Sequence, residues 1–186
     1  PDAVVLAAFP AMLKIHPPLF DGWMRLMRAH PHTVLWLRSA QPAAAANLRG
    51  NAEARGVDGA RLVFAPVDDT ALYLARFALA DLFLDTWPYG SHTNVNDALF
   101  SGLPVMTLAG KSFAARASAS QLMAVGLGEL VAEDVAQYER IAAELIGDRA
   151  RLAALRVHLQ SGEARAPLFD MRRYAADFAE VLRSGW

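Results

Sequence analysis

At 186 residues the chain fits one domain, and its formal charge of −1 gives no electrostatic case for nucleic acid or an anionic membrane. It has no cysteine, which excludes a disulfide framework and thiolate metal sites and fits a reducing, cytoplasmic compartment. Apolar residues make up 54% of it, enough for a substantial core, yet no apolar run reaches the roughly 18 residues of a membrane span and no signal peptide is visible.

The chain begins at Pro1 and reads almost at once as a strand, which points to a piece of a longer protein. Short β-branched and aromatic runs predict strands at Val4–Phe9, Thr33–Arg38, Arg61–Pro66, Asp81–Thr86 and Pro104–Gly110. These runs are nearly continuous in apolar residues, the pattern of strands buried on both faces. Between them lie helical patterns at Pro18–His30, Pro42–Gly56, Asp69–Phe77 and Ser91–Gly102. Alternation of this kind implies right-handed βαβ crossovers and a parallel sheet. After Gly110 the strand signals stop, and helices are expected at Phe113–Val125, Asp134–Ile146, Asp148–Gln160 and Met171–Arg183. Asp134 and Asp148 read as N-caps, with Gly147 as the stop between two helices. The fold class is α/β: one Rossmann-like parallel sheet with flanking helices and a helical C-terminal tail, spanning residues 1–186 as a single domain.

The stretch "DLFLDTWPYGSHTNVNDALFSGLPVMT" (Asp81–Thr107) puts a polar knot between two buried strands. Open α/β sheets bind ligands beyond the carboxyl ends of their strands, and this is such an end. Gly90 permits a turn with close backbone approach, and Ser91 or His92 starts the next helix. A helix N-terminus offers unpaired N–H groups and partial positive charge, which suits a pyrophosphate. Val95, Ala98, Leu99 and Gly102 share the face expected to pack on the sheet, while Thr93 and Asp97 share the opposite one. Asp97 can then reach ribose hydroxyls. Equally, Thr93 and Asp97 form a solvated face and Ser91 is an ordinary N-cap. Neither a GxGxxG nor a GxxxxGK[ST] motif is present.

Lys14, in "FPAMLKIHP", follows the first strand at the same sheet edge. It reads either as a point charge for a leaving phosphate or as a snorkelling surface lysine. In "FAPVDDTALYLARFALADLFLD", Tyr73 can stack on a base, and the backbone near Val67 and Asp68 can read base edges. Tyr73, Leu72 and Phe77 also read as core, the last two preferentially. Arg76 is a helix-surface charge or a second phosphate contact. His16 reads as a loop residue, and the five scattered histidines give no metal site.

Taken in order along the chain, these segments resemble the C-terminal catalytic half of the O-linked N-acetylglucosamine transferases, including their bacterial and SPINDLY-like members. The resemblance is carried by LDT, an HTT-like turn, an Asp five residues after its His, GLPV and "ARASASQL". It is carried also by "FPAMLKIHP" and by the closing "APLF…W". It implies the C-terminal domain of a two-domain GT-B enzyme that moves N-acetylglucosamine from UDP-GlcNAc to Ser or Thr of a protein, with inversion. The resemblance further implies no metal or other cofactor beyond the UDP-sugar substrate. The protein acceptor would be held by a missing N-terminal half and tetratricopeptide repeats. By position, Lys14 resembles the lysine that stabilises the leaving diphosphate, His92 and Thr93 the turn that cradles it, and Asp97 the ribose-binding aspartate. Tyr73 stands where relatives often carry a base-contacting histidine, and Arg76 matches an arginine of the same helix. Asn94 replaces the second threonine of the turn, Ala11 a glutamine, Thr70 a lysine and Lys111 a glutamate. Alternative readings are a GDP-fucose or UDP-glucose donor, or a non-catalytic nucleotide-binding module. The apolar stripe Tyr174, Phe178, Val181, Leu182 and Trp186 is expected to be left uncovered by the rest of this chain.

Overall fold

The computed structural model describes residues 3–38, 41–66 and 69–185. The apolar runs form parallel strands Val4–Ala8 (β1), Thr33–Arg38 (β2), Leu62–Ala65 (β3), Leu82–Leu84 (β4) and Val105–Leu108 (β5). All five expected strands are present, and a sixth, Val131–Ala132 (β6), pairs with β5 through Thr107 opposite Val131. The expectation that strands end at Gly110 is therefore corrected. The order β3-β2-β1-β4-β5-β6 is that of a doubly wound Rossmann sheet. Leu6 and Ala7 in β1 and Leu82 and Phe83 in β4 are adjacent and completely buried, which is why these strands lack alternation, whereas β2 leaves Val34 and Trp36 half-buried and β3 leaves Val63 exposed.

The helices are Pro17–Ala29 (α1), Pro42–Glu53 (α2), Thr70–Phe77 (α3), Thr93–Phe100 (α4), Phe113–Ala124 (α5), Val135–Gly147 (α6), Arg149–Gln160 (α7), Gly162–Phe169 (α8) and Met171–Ser184 (α9). Helix α1 packs on α6, and α4 lies against both α3 and α5. Asp134 caps α6 by accepting from the Gln137 N–H, and Asp148 caps α7 by accepting from the Arg151 N–H. Gly147 is the last residue of α6 rather than a reversal after it, because Asp148 alone ends one helix and starts the next. Gly102 does reverse the chain, at φ +78°, between α4 and β5. Helix α8 has no counterpart among the expected helices.

Phe77 is fully buried, but Leu72 is 56% exposed, so of these two only Phe77 belongs to the core. Val95, Ala98 and Leu99 are buried, as the face assignment of α4 requires. No helix among the described residues is long and apolar enough to cross a membrane. On α9, Tyr174, Phe178, Val181 and Leu182 are each more than half exposed, so the stripe is uncovered. Trp186, expected to extend it, lies outside the described residues.

Candidate functional site

In this sheet the strand order reverses between β1 and β4, and the crevice beyond their carboxyl ends is where open α/β sheets take ligands. Two loops meet there. The segment after β1 makes a 3-10 turn at Met12–Lys14, and the prolines that open α1 stop it from continuing. The segment after β4 runs from Asp85 to His92 before α4 starts. Lys14 Nζ donates to the Gly90 carbonyl at 2.7 Å, and Asn94 Nδ2 donates to the Phe9 carbonyl at 2.7 Å. The two loops are thus joined at both ends of the turn.

Asp85 organises that turn. It is completely buried, and its carboxyl oxygens accept from the Ser91 N–H at 2.7 Å and the Thr107 hydroxyl at 2.7 Å. The Tyr138 hydroxyl donates to the Asp85 carbonyl at 3.0 Å; burial raises the Tyr138 phenol pKa and keeps it a donor. Thr86 Oγ1 closes the loop by donating to the Tyr89 carbonyl at 2.7 Å.

Gly90 is required by space. A Cβ there would sit 2.7 Å from Ser118 Oγ and 3.3 Å from both the Ala114 carbonyl and Asp85 Oδ2. Gly90→Ala is therefore expected to destabilise the fold by about 1–3 kcal/mol through overpacking, measurable by denaturant unfolding. An unchanged midpoint would mean that α5 yields at this contact.

His92 is the only non-glycine among the described residues at positive φ (φ 45°, ψ −95°). Such a conformation costs of order 1–3 kcal/mol and concentrates at functional turns. Its Nε2 lies 2.9 Å from the Ala114 carbonyl, and because a carbonyl only accepts, Nε2 carries the proton. Its ring stacks on Tyr89 at 5.1 Å. Among the described residues, the N–H groups of His92 and Thr93 meet no backbone acceptor, and Thr93 is exposed at the start of α4. Ser91 differs from expectation. It is buried, its N–H is engaged by Asp85, and its Oγ lies 3.2 Å from Thr86 Oγ1. It supports the turn from below and presents no N–H to a ligand.

On the other side of α4 lies a cleft of about 280 Å³ lined by Arg38, Thr70, Tyr73, Arg76, Asn94 and Asp97, among others. The Tyr73 hydroxyl is within reach of Asn94 Oδ1 (3.1 Å) and Asp97 Oδ2 (3.2 Å). Burial raises the pKa of both Tyr73 and Asp97; their mutual hydrogen bond draws the Asp97 value back. Tyr73 also packs edge-to-face on Phe77 at 5.1 Å, so its ring borders the cleft while resting on core. Lys14 lies in a neighbouring apolar depression with Leu13, His16, Trp87, Pro88 and Tyr89. Burial lowers the Lys14 pKa, and the Asp85 carboxylate opposes the shift.

The expected residues thus fall into two groups around the start of α4: Tyr73, Arg76, Asn94 and Asp97 in the cleft, Lys14 and His92 beside the turn. Asp68 and Val67 lie outside the described residues. Sequence reasoning passed over Asp85, Tyr89, Ser118 and Arg38. Arg38 had a signal, since it ends β2 at the same sheet edge.

Residues 1–178 match the model of glycosyl transferase family 41. The chain belongs to that family. It is 34% identical over 185 residues to the UDP-N-acetylglucosamine–peptide N-acetylglucosaminyltransferase of Caenorhabditis elegans, covering all of this chain and 16% of that protein. It is 29% identical over 186 residues to the probable enzyme SEC of Arabidopsis thaliana, again over the whole chain and 19% of the relative. A mutant of the Thermobaculum terrenum O-GlcNAc transferase superposes with a TM-score of 0.93 at 32% identity, over 99% of this chain and 36% of that one. The C-terminal domain of a glycosyl transferase group 1 family protein from Francisella tularensis shares the fold alone: TM-score 0.62, 14% identity, 88% of this chain and 84% of that one. The family 41 chain thus has the GT-B domain fold and spans about a third or less of these family relatives.

Proposed function

We propose that this family 41 chain is the donor-binding half of a two-domain cytoplasmic enzyme. It transfers N-acetylglucosamine from UDP-GlcNAc to Ser or Thr hydroxyls of proteins, with inversion and without a metal. The observation that carries the reading is the juxtaposition, at one sheet edge, of the Tyr73–Asp97 cleft, the start of α4 and Lys14. In this reading the uridine lies in the cleft, with Asp97 on ribose hydroxyls and Tyr73 and Arg76 beside the base and first phosphate. The side chain of Asn94 completes the donor contacts. The His92 and Thr93 N–H groups meet the diphosphate. As the acceptor hydroxyl forms its bond to the anomeric carbon, the bond to the diphosphate oxygen breaks, and negative charge grows on the leaving group. The Lys14 ammonium neutralises that charge, the role a metal fills elsewhere. The group that takes the acceptor's proton belongs to the other half of the enzyme. The same half, with its tetratricopeptide repeats, holds the acceptor, and the uncovered stripe on α9 supports a covering partner domain.

Calorimetric titration with UDP and GDP tests the donor assignment. UDP is expected to bind and to weaken about tenfold or more in Asp97→Ala, since a hydrogen bond to a charged group is worth about 1.5–3 kcal/mol. Tighter binding of GDP would replace UDP-GlcNAc by a GDP-sugar.

A further inference from the structure

We propose that Tyr89 is a positioning residue: its ring holds the Lys14 ammonium and the His92 imidazole together at the donor diphosphate. This rests on the roles given above to Lys14 and His92. Lys14 and His92 come from loops 78 positions apart in sequence, and one ring touches both. Lys14 Nζ lies 4.2 Å from the centroid of the Tyr89 ring. The His92 ring stacks on it at 5.1 Å with an interplanar angle of 21°.

The ring is itself carried on fixed backbone. The Thr86 hydroxyl holds the Tyr89 carbonyl, Gly90 N–H donates to the Ala114 carbonyl at 3.1 Å, and His16 Nε2 bonds the Trp87 carbonyl on the preceding side. The side chain is 51% exposed, and among the described residues its hydroxyl has no hydrogen-bond partner, so the ring is the contact-making part. A lysine ammonium has three N–H groups. One is taken by the Gly90 carbonyl and one edge faces the aromatic ring, which leaves a donor for a phosphate oxygen. With Tyr89 removed, a single hydrogen bond would restrain a four-carbon stem. The rotamer freedom regained would have to be lost again on binding.

The test is UDP titration of the chain and its variants. Tyr89→Leu and Tyr89→Gln, two non-aromatic replacements at a half-exposed position, are each expected to weaken UDP about fivefold, the scale of a cation–π contact. Tyr89→Phe and Tyr89→Trp keep a π face and are expected to stay within about twofold of the parent. In a Lys14→Ala background the effect of Tyr89→Leu is expected to shrink to about twofold or less, because only the His92 stack is left for the ring to hold. Parent-like affinity in both non-aromatic variants, or an undiminished Tyr89→Leu effect in the Lys14→Ala background, overturns the positioning role and leaves Lys14 in place. UDP affinity that Lys14→Ala does not change overturns the reading of Lys14 itself, and the role of Tyr89 with it.

Discussion

Replacing Lys14 by alanine in the two-domain enzyme is expected to lower kcat by about 10²–10³-fold, roughly 3–4 kcal/mol of transition-state stabilisation. The reason is differential. In the ground state the diphosphate charge is shared with the sugar bond, and the start of α4 already faces it. In the proposed reaction a further negative charge appears on the leaving oxygen as that bond breaks, and the ammonium beside Gly90 is the cation assigned to meet it. An interaction that strengthens along the reaction lowers kcat when removed, whereas uniform binding changes KM alone. Steady-state kinetics decide between them. A raised KM at unchanged kcat would make Lys14 a donor-binding residue without a share in the chemical step. The pH dependence has a defined sign. Burial lowers the Lys14 pKa, so the free enzyme loses this cation at a lower pH than an ordinary lysine would, and kcat/KM declines on the alkaline side accordingly. Lys14→Arg keeps the charge through that range and is expected to lose the alkaline decline, though its planar fork meets the phosphate differently.

The sheet was legible because its physics is written locally. Val4–Ala8 and Leu82–Leu84 are buried on both faces and could hardly be anything but inner parallel strands, while Thr33–Arg38 buries one face and leaves Val34 and Trp36 half-buried. Strand β6 was not legible: two residues cannot carry a period, and Val131–Ala132 pairs only because β5 offers it an edge. Helix α8 opens at Gly162 and contains Pro167, so local propensity argues against it; packing against α5 and α7 supplies what propensity lacks. The site divides the same way. The family motif and the sheet-edge rule pointed to Lys14, His92 and Asp97, and the structure brings these three candidates together around the start of α4. Motif and rule did not show that the Ser91 N–H is engaged, because a serine before a helix looks like a cap, and only the buried Asp85 shows where that N–H goes. Tyr89 and Ser118 were invisible for the same reason: what they do depends on which loop lies opposite, and sequence spacing does not encode that.

Asp85→Ala is expected to destabilise the fold by about 3 kcal/mol, because it strands the Ser91 N–H and the Thr107 hydroxyl in a site with no access to water. For a chain of this size that corresponds to a fall in Tm of about 6–12 °C, readable by circular dichroism. Asp85→Asn separates charge from hydrogen bonding. Its Oδ1 can still accept from Ser91, while Thr107, whose hydroxyl rotates, can turn from donor to acceptor toward the new amide. A loss of about 1 kcal/mol or less is therefore expected for Asn. An Asn variant as unstable as the Ala variant would mean that Asp85 acts through its charge, with Lys14 as the cation it holds near the turn. The two outcomes assign the acid to different parts of the site. In the first, Asp85 fixes the backbone that presents His92 and Thr93, and Asp85→Asn leaves UDP affinity intact. In the second it places the ammonium, and UDP affinity falls together with stability.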